Sequence, residues 1–250
     1  MLRVRIIPCL DIKDGQVVKG TKFKNLKAVG DPVELARDYG AQGADEITLL
    51  DVTASVESRR VMLEIIENVS SQVFVPLCVG GGIRSLEDIR AILRSGADKV
   101  SLGTAALENP GFIREAATTF GSQCLVLSID ARREGSTWWA YRRGGRDKTG
   151  WDAITWAKWG EGQGAGEILL NSIDRDGTLS GYDVELTRRI AEIVSIPVIA
   201  SGGAGNLSQI YQAIVEGKAD AVLIASLLHF NQVTFQEIKN YLSDKGIKVR

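Results

Sequence analysis

Apolar and polar positions along the chain alternate between two periods. Short runs that are almost wholly apolar and rich in β-branched residues predict strands at Val4–Leu10, Ile47–Asp51, Val75–Val79, Val100–Leu102, Leu125–Asp130, Ile168–Asn171, Pro197–Ser201 and Ala221–Ala225. Parallel strands covered on both faces read this way. Between them, apolar residues recur at helical spacing over Pro32–Gln42, Glu57–Val69, Leu86–Leu93, Pro110–Thr119, Trp151–Glu161, Val184–Ile193, Leu207–Glu216 and Thr234–Ser243. Ser85 with Asp88, and Asn206 with Gln209, have the spacing of capping boxes at helix starts. Eight strand–helix units in succession predict a closed (β/α)8 barrel, the TIM-barrel class. No Pro/Gly/Ser-rich linker divides residues 1–250, so a single domain is expected.

The pattern repeats itself at half the chain length. GADEITLL from Gly43 matches GAGEILL from Gly164, and VPLCVGGG from Val75 matches IPVIASGG from Ile196, each at an offset of 121. GADKVSLGTAA from Gly96 matches GKADAVLIASLL from Gly217, and CLDI pairs Asp11 with Asp130 of SIDA. The barrel is therefore expected to be two related half-barrels, with each element at the C-terminal mouth present twice.

Composition narrows the function. The formal net charge is −1 and the pI about 6.0, so no global basic field exists to hold nucleic acid or an anionic membrane. No apolar run approaches a membrane span, and Arg3 and Arg5 interrupt the first one, so a cytoplasmic protein without a leader is expected. Cys9, Cys78 and Cys124 are far apart and read as buried free thiols. A single histidine, His229, excludes multi-histidine metal sites; no metal or cofactor is expected, and His229 reads as structural.

The candidate chemistry sits at predicted strand ends. Gly80–Gly82 and Gly202–Gly203 close two strands before helices, and Gly103–Thr104 and Ala225–Ser226 follow the next strand in each half. Such loops make tight turns or cradle phosphate with backbone N–H groups; the paired occurrence favours phosphate. Two cradles across one mouth suit a long substrate phosphorylated at both ends. Asp11 and Asp130 stand between them as a general acid and base, with Asp51 and Asp176 as further strand-end acids. At the opposite face Arg5, Glu46, Lys99 and Glu167 can close a ring of alternating charge, either a structural plug or more. The basic, aromatic stretch Arg132–Lys148 is expected to be a hairpin after the fifth strand, with Trp138 and Trp139 on the mouth and Gly144–Gly145 at a turn. Trp151, Trp156 and Trp159 share helical spacing and read as core or interface.

CLDIKDGQVVKG, DVTAS, VGGGIRS, GADKVS, SIDA, GAGEILL, SIDRDGT, GYD and IASGGAG occur in the order and spacing of the cyclase subunits of imidazole glycerol phosphate synthase, which the whole chain resembles. The resemblance implies that ammonia from a glutaminase subunit, docked on the barrel's N-terminal face, passes through the core. It then converts the phosphoribulosyl-formimino aminoimidazole carboxamide ribonucleotide into imidazole glycerol phosphate and aminoimidazole carboxamide ribonucleotide. It implies Asp11 and Asp130 as the catalytic pair, Asp130 being the acid, and Lys19 on a loop that closes over substrate. It implies phosphate or substrate contacts at Asp51, Gly81, Gly82, Gly103, Thr104, Asn171, Asp176, Gly177, Gly202, Gly203, Ala225 and Ser226. Arg5, Glu46, Lys99 and Glu167 become an ammonia gate, and Asp98 and Gln123 part of the partner face. The chain departs from the family where Gly103 replaces an asparagine, Asn171 a threonine and Lys22 an asparagine. Three other readings remain open: an ammonia-channelling paralogue in a sugar amidotransferase, the sister phosphoribosyl isomerase, and a non-enzymatic partner of a glutaminase.

Overall fold

The computed structural model describes residues 3–21, 24–53 and 56–250. Eight barrel strands run in chain order: β1 (Arg5–Lys13), β2 (Ile47–Asp51), β3 (Leu77–Gly80), β4 (Lys99–Leu102), β5 (Leu125–Glu134), β6 (Glu167–Ser172), β7 (Val198–Ser201) and β8 (Ala221–Ile224). Each pairs in parallel with the next, and β8 pairs with β1 through Arg5 opposite Ala221, so the sheet closes on itself. The predicted barrel is the observed one.

Alternation along each strand sorts side chains between two cores. Ile6, Leu10, Ile47, Leu49, Val100 and Ile168 point outward into the large core beneath the helices. Ile7, Cys9, Cys78, Val126, Leu169, Ile199, Ala221 and Leu223 form a separate core within the barrel. The strands are buried on both faces, which is why their sequences are apolar without a polar period. Cys9 and Cys78 are buried free thiols in that inner core, as expected, and Cys124 is half-buried.

Caps set the helix starts. Ser85 and Asp88 form the expected reciprocal box. Asn206 accepts from the Gln209 N–H, but the Gln209 side chain reaches Gly205 N instead, so that box is displaced by one residue. Thr234 and Glu237 form a further box. The predicted helix from Trp151 begins instead at Ala153, because Asp152 caps it and Trp151 lies in the strand Asp147–Asp152. The three tryptophans still cluster, with ring centroids 4.9–5.7 Å apart.

The repeat is visible in the strand entries. Asp45, Asp98 and Asp220 stand just before β2, β4 and β8, and each carboxylate accepts the N–H of a neighbouring strand: Ile6, Leu77 and Val198, at 2.8–3.0 Å. The matching position before β6 is Gly166, where a Cβ would lie 2.1 Å from the Ser122 carbonyl oxygen. Close backbone approach excludes a side chain there. Gly166→Ala is expected to cost about 2 kcal/mol or more, a fall of about 4–8 °C in thermal midpoint measured by calorimetry.

Candidate active site

Both aspartates occupy the same place in their half-barrels. Asp11 and Asp130 lie where β1 and β5 leave the barrel and run on into antiparallel hairpins. In the first, Asp11 pairs with Val18 of the strand Gln16–Thr21, which pairs in turn with Lys24–Gly30. In the second, Asp130 pairs with Tyr141 of the strand Thr137–Arg142, which pairs with Asp147–Asp152. The second hairpin is the expected insertion, with Gly144 and Gly145 in its outer turn. Trp138, expected on the mouth, is instead wholly buried on the opposite face of the hairpin, where its indole donates to Asp183 at 2.8 Å; Trp139 keeps to the mouth face, half-buried beneath Lys148. The first hairpin is a correction: Lys19, expected on a loop, is held in a strand aimed at the mouth. Lys22 lies outside the described residues.

The hairpins give the two acids different surroundings. Lys19 Nζ is 3.1 Å from Asp11 Oδ2 and 3.8 Å from Asp176 Oδ1, so the ammonium bridges two buried acids. Burial works against its charge, but Asp11 and Asp176 outweigh that and hold Lys19 firmly protonated. Burial raises the Asp176 carboxyl too, with Lys19 opposing. Among the described residues Asp130 has no such cation. Burial pushes it up to about 6; a hydrogen bond from Asn171 Nδ2 at 2.9 Å restrains the shift and Asp176 adds to it. Asn171 stands directly across from Asp130 in the β5–β6 register, and Ser201 Oγ donates to its Oδ1 at 3.3 Å. The residue that departs from the family's threonine is thus the one that touches Asp130.

Around this centre the loops occur in matched pairs. Gly81 and Gly202 have φ of +93° and +91°, and a Cβ on Gly81 would meet the Asp51 carbonyl at 2.1 Å. In the other half a Cβ on Gly203 would lie 2.3 Å from the Gly181 carbonyl. Gly82 and Gly177 also have positive φ. Gly103 (φ −117°, ψ −92°) and Ala225 (φ −124°, ψ −77°) adopt nearly the same conformation before the short helices Thr104–Glu108 and Ser226–His229, which the sequence periodicity did not predict. The strand-end acid Asp51 accepts from Thr53 N at 2.8 Å and Thr53 Oγ1 at 2.7 Å. His229 is buried and bonded through Nδ1 to Tyr39 Oη at 2.7 Å, in keeping with a structural role.

At the opposite end the four charges close a ring. Arg5 bonds Glu46 at 2.7 Å and also Glu167, and Lys99 bonds both glutamates at 2.8 Å. Burial disfavours charge on Arg5 and Lys99, and the two glutamates more than reverse it, keeping both cations protonated. Asp98 and Gln123 are exposed at this face. Among the described residues no three His, Cys, Asp or Glu side chains are placed to hold a metal, and no helix is long and apolar enough to cross a membrane.

The family model described as histidine biosynthesis protein matches residues 5–234. The chain belongs to this family. Within it, the chain is 54% identical over 270 aligned positions to the imidazole glycerol phosphate synthase subunit HisF of Methanocaldococcus jannaschii, covering 100% of this chain and 99% of that protein. The histidine biosynthesis family is thus the one that the motifs resemble, and the match spans both mouths of the barrel.

The shift at Asp130 has a consequence for stability. Its folded pKa lies above the ordinary 3.8, so burial of its charge destabilises the fold progressively as pH rises from about 4 through 6. Asp130→Asn is expected to be more stable than wild type at pH 8, by up to about 2–3 kcal/mol, with the difference vanishing below pH 4. Urea denaturation at both pH values measures it.

Proposed function

We propose that the chain, as one domain, is the cyclase subunit of an imidazole glycerol phosphate synthase. It takes the doubly phosphorylated ribulosyl-formimino substrate, uses ammonia supplied by a glutaminase subunit, and releases imidazole glycerol phosphate and aminoimidazole carboxamide ribonucleotide. The observation that carries this reading is the electrostatic division between Asp11, bridged by Lys19, and Asp130, raised by burial to about 6. Addition of ammonia to a carbonyl, loss of water and ring closure with expulsion of an amine need a proton given at one atom and taken at another. Asp130 is suited to give it, and phosphate charges in the mouth would raise its pKa further. Asp11 is the paired carboxylate suited to accept.

The paired loops support two phosphate sites across the mouth, one at Gly81, Gly82, Gly103 and Thr104, the other at Gly177, Gly202, Gly203, Ala225 and Ser226. Asp51, Asn171 and Asp176 line the space between. The ring at the N-terminal face fits an ammonia entrance. Glu46 Oε1 is buried there without a hydrogen-bond partner among the described residues, and so is the hydroxyl of Ser101, two residues along β4 from Lys99 on the same inward face. Both are open acceptors for an N–H group on the way through the barrel. The partner would dock over this ring, with Asp98 and Gln123 at the contact, and the protein would work in the cytoplasm.

Turnover of the doubly phosphorylated substrate with excess ammonium salt, followed by substrate absorbance, tests the reading. Asp11→Asn and Asp130→Asn are each expected to lower kcat by about 100-fold or more while substrate still binds. Isomerisation without ammonia, or no turnover in the wild type, would favour the sister isomerase or a channelling paralogue. A Cβ at Gly103 would meet Ser128 only at 3.6 Å, an ordinary contact. Gly103→Asn is therefore expected to fold normally and to lower KM by about 2- to 10-fold through one added hydrogen bond.

A further inference from the structure

The second hairpin presents one face to the mouth. Register places Asp130 opposite Tyr141, Arg132 opposite Trp139, and Tyr141 opposite Lys148, so these side chains share the face that begins with Asp130. The other face carries Ala131, Ala140 and the buried Trp138. Two cations therefore stand on the mouth side. Lys148 is engaged by Glu134. Arg132 has no carboxylate within ion-pair distance among the described residues; its guanidinium lies over the Tyr141 ring, 4.5 Å from the centroid, and one N–H donates to Gly145 O at 3.3 Å.

That Gly145 contact locates the guanidinium. The turn holding Gly145 also carries Arg143, whose N–H donates to Thr104 Oγ1 at 2.8 Å. A Cβ on Gly145 would meet Ile173 Cδ1 at 3.0 Å. The turn therefore touches the loop after β4 on one side and the chain just beyond β6 on the other, the two strands that flank β5. A half-buried guanidinium with no carboxylate at ion-pair distance among the described residues, fixed by an aromatic ring and a carbonyl, is preorganised to grip a phosphate with parallel N–H donors.

We propose that Arg132 is a substrate-binding residue that closes the phosphate site at Gly82 and Thr104 from the hairpin side, adding a fixed guanidinium to the glycine-loop N–H groups and the Thr104 hydroxyl. The inference rests on the two-phosphate reading of the mouth. It gives the hairpin a task beyond carrying Asp130, and it makes good at one end the hydrogen bond absent at Gly103.

Without ammonia the substrate can be bound but not converted, so equilibrium titration reads the contact directly. The ligands are the doubly phosphorylated substrate and two analogues, each lacking one terminal phosphate. Arg132→Met keeps a stem to pack on Tyr141, and Arg132→Lys keeps the charge without the fork. The Met variant is expected to bind the full substrate about 10- to 100-fold more weakly than wild type, with Lys intermediate. For one of the two analogues, the one lacking the phosphate that Arg132 would hold, wild type and Met variant are expected to bind equally. A structural role alone would weaken all three ligands alike. That result, or an unchanged affinity for the full substrate, overturns the proposal. Failure of the wild type to bind the full substrate would instead overturn the two-phosphate reading, and this inference with it.

Discussion

Closing eight parallel strands into a ring is the constraint on which the rest depends. Once β8 pairs with β1, every inward side chain at a strand end is brought to one of two small openings. The C-terminal ends deliver Asp11, Asp130, Asn171 and the glycine loops to one mouth. The N-terminal ends deliver Arg5, Glu46, Lys99 and Glu167 to the other, where no geometry but a ring is open to them. The inner core of Ile7, Cys9, Cys78, Val126, Leu169, Ile199 and Leu223 joins the two ends. The mouth with the aspartates and the ring of charges are thus consequences of one closure.

The two-fold repeat supplies each strand-end element twice, and the two copies differ in their surroundings. Each half sends its first strand out into a hairpin with an aspartate at the base. One hairpin returns a lysine to its aspartate; the other returns a tyrosine and leaves its aspartate to a neutral amide. Two carboxyls at equivalent positions therefore have different electrostatic partners. The same motif is thus given two environments because one electrostatic partner differs, the general route by which paired acids can acquire separate roles.

Much of this was legible in the sequence because it was written in periodicity or duplicated. The eight barrel strands stood out as apolar runs, and the offset near 121 residues paired Asp11 with Asp130 and each glycine loop with its twin. Features that depend on register or on very short segments were not legible. Asn171 touches Asp130 only because β5 and β6 align them. The helices Thr104–Glu108 and Ser226–His229 are too short to show a helical period. Lys19 was expected on a loop from the resemblance alone, and it stands in a strand because Gln16–Thr21 pairs back onto β1 and with Lys24–Gly30. Trp151 matched the spacing of Trp156 and Trp159 because it packs with them, although it reaches them from a strand.

The central claim is that the fold divides two equivalent aspartates by their surroundings. Carbon-13 NMR titration of the aspartate carboxyl signals tests it most directly, with Asp130→Asn used to assign the resonance. The account predicts that the Asp130 carboxyl titrates near pH 6 in the ligand-free protein, well above the ordinary 3.8. Titration of that signal at an ordinary carboxylate value would contradict the account.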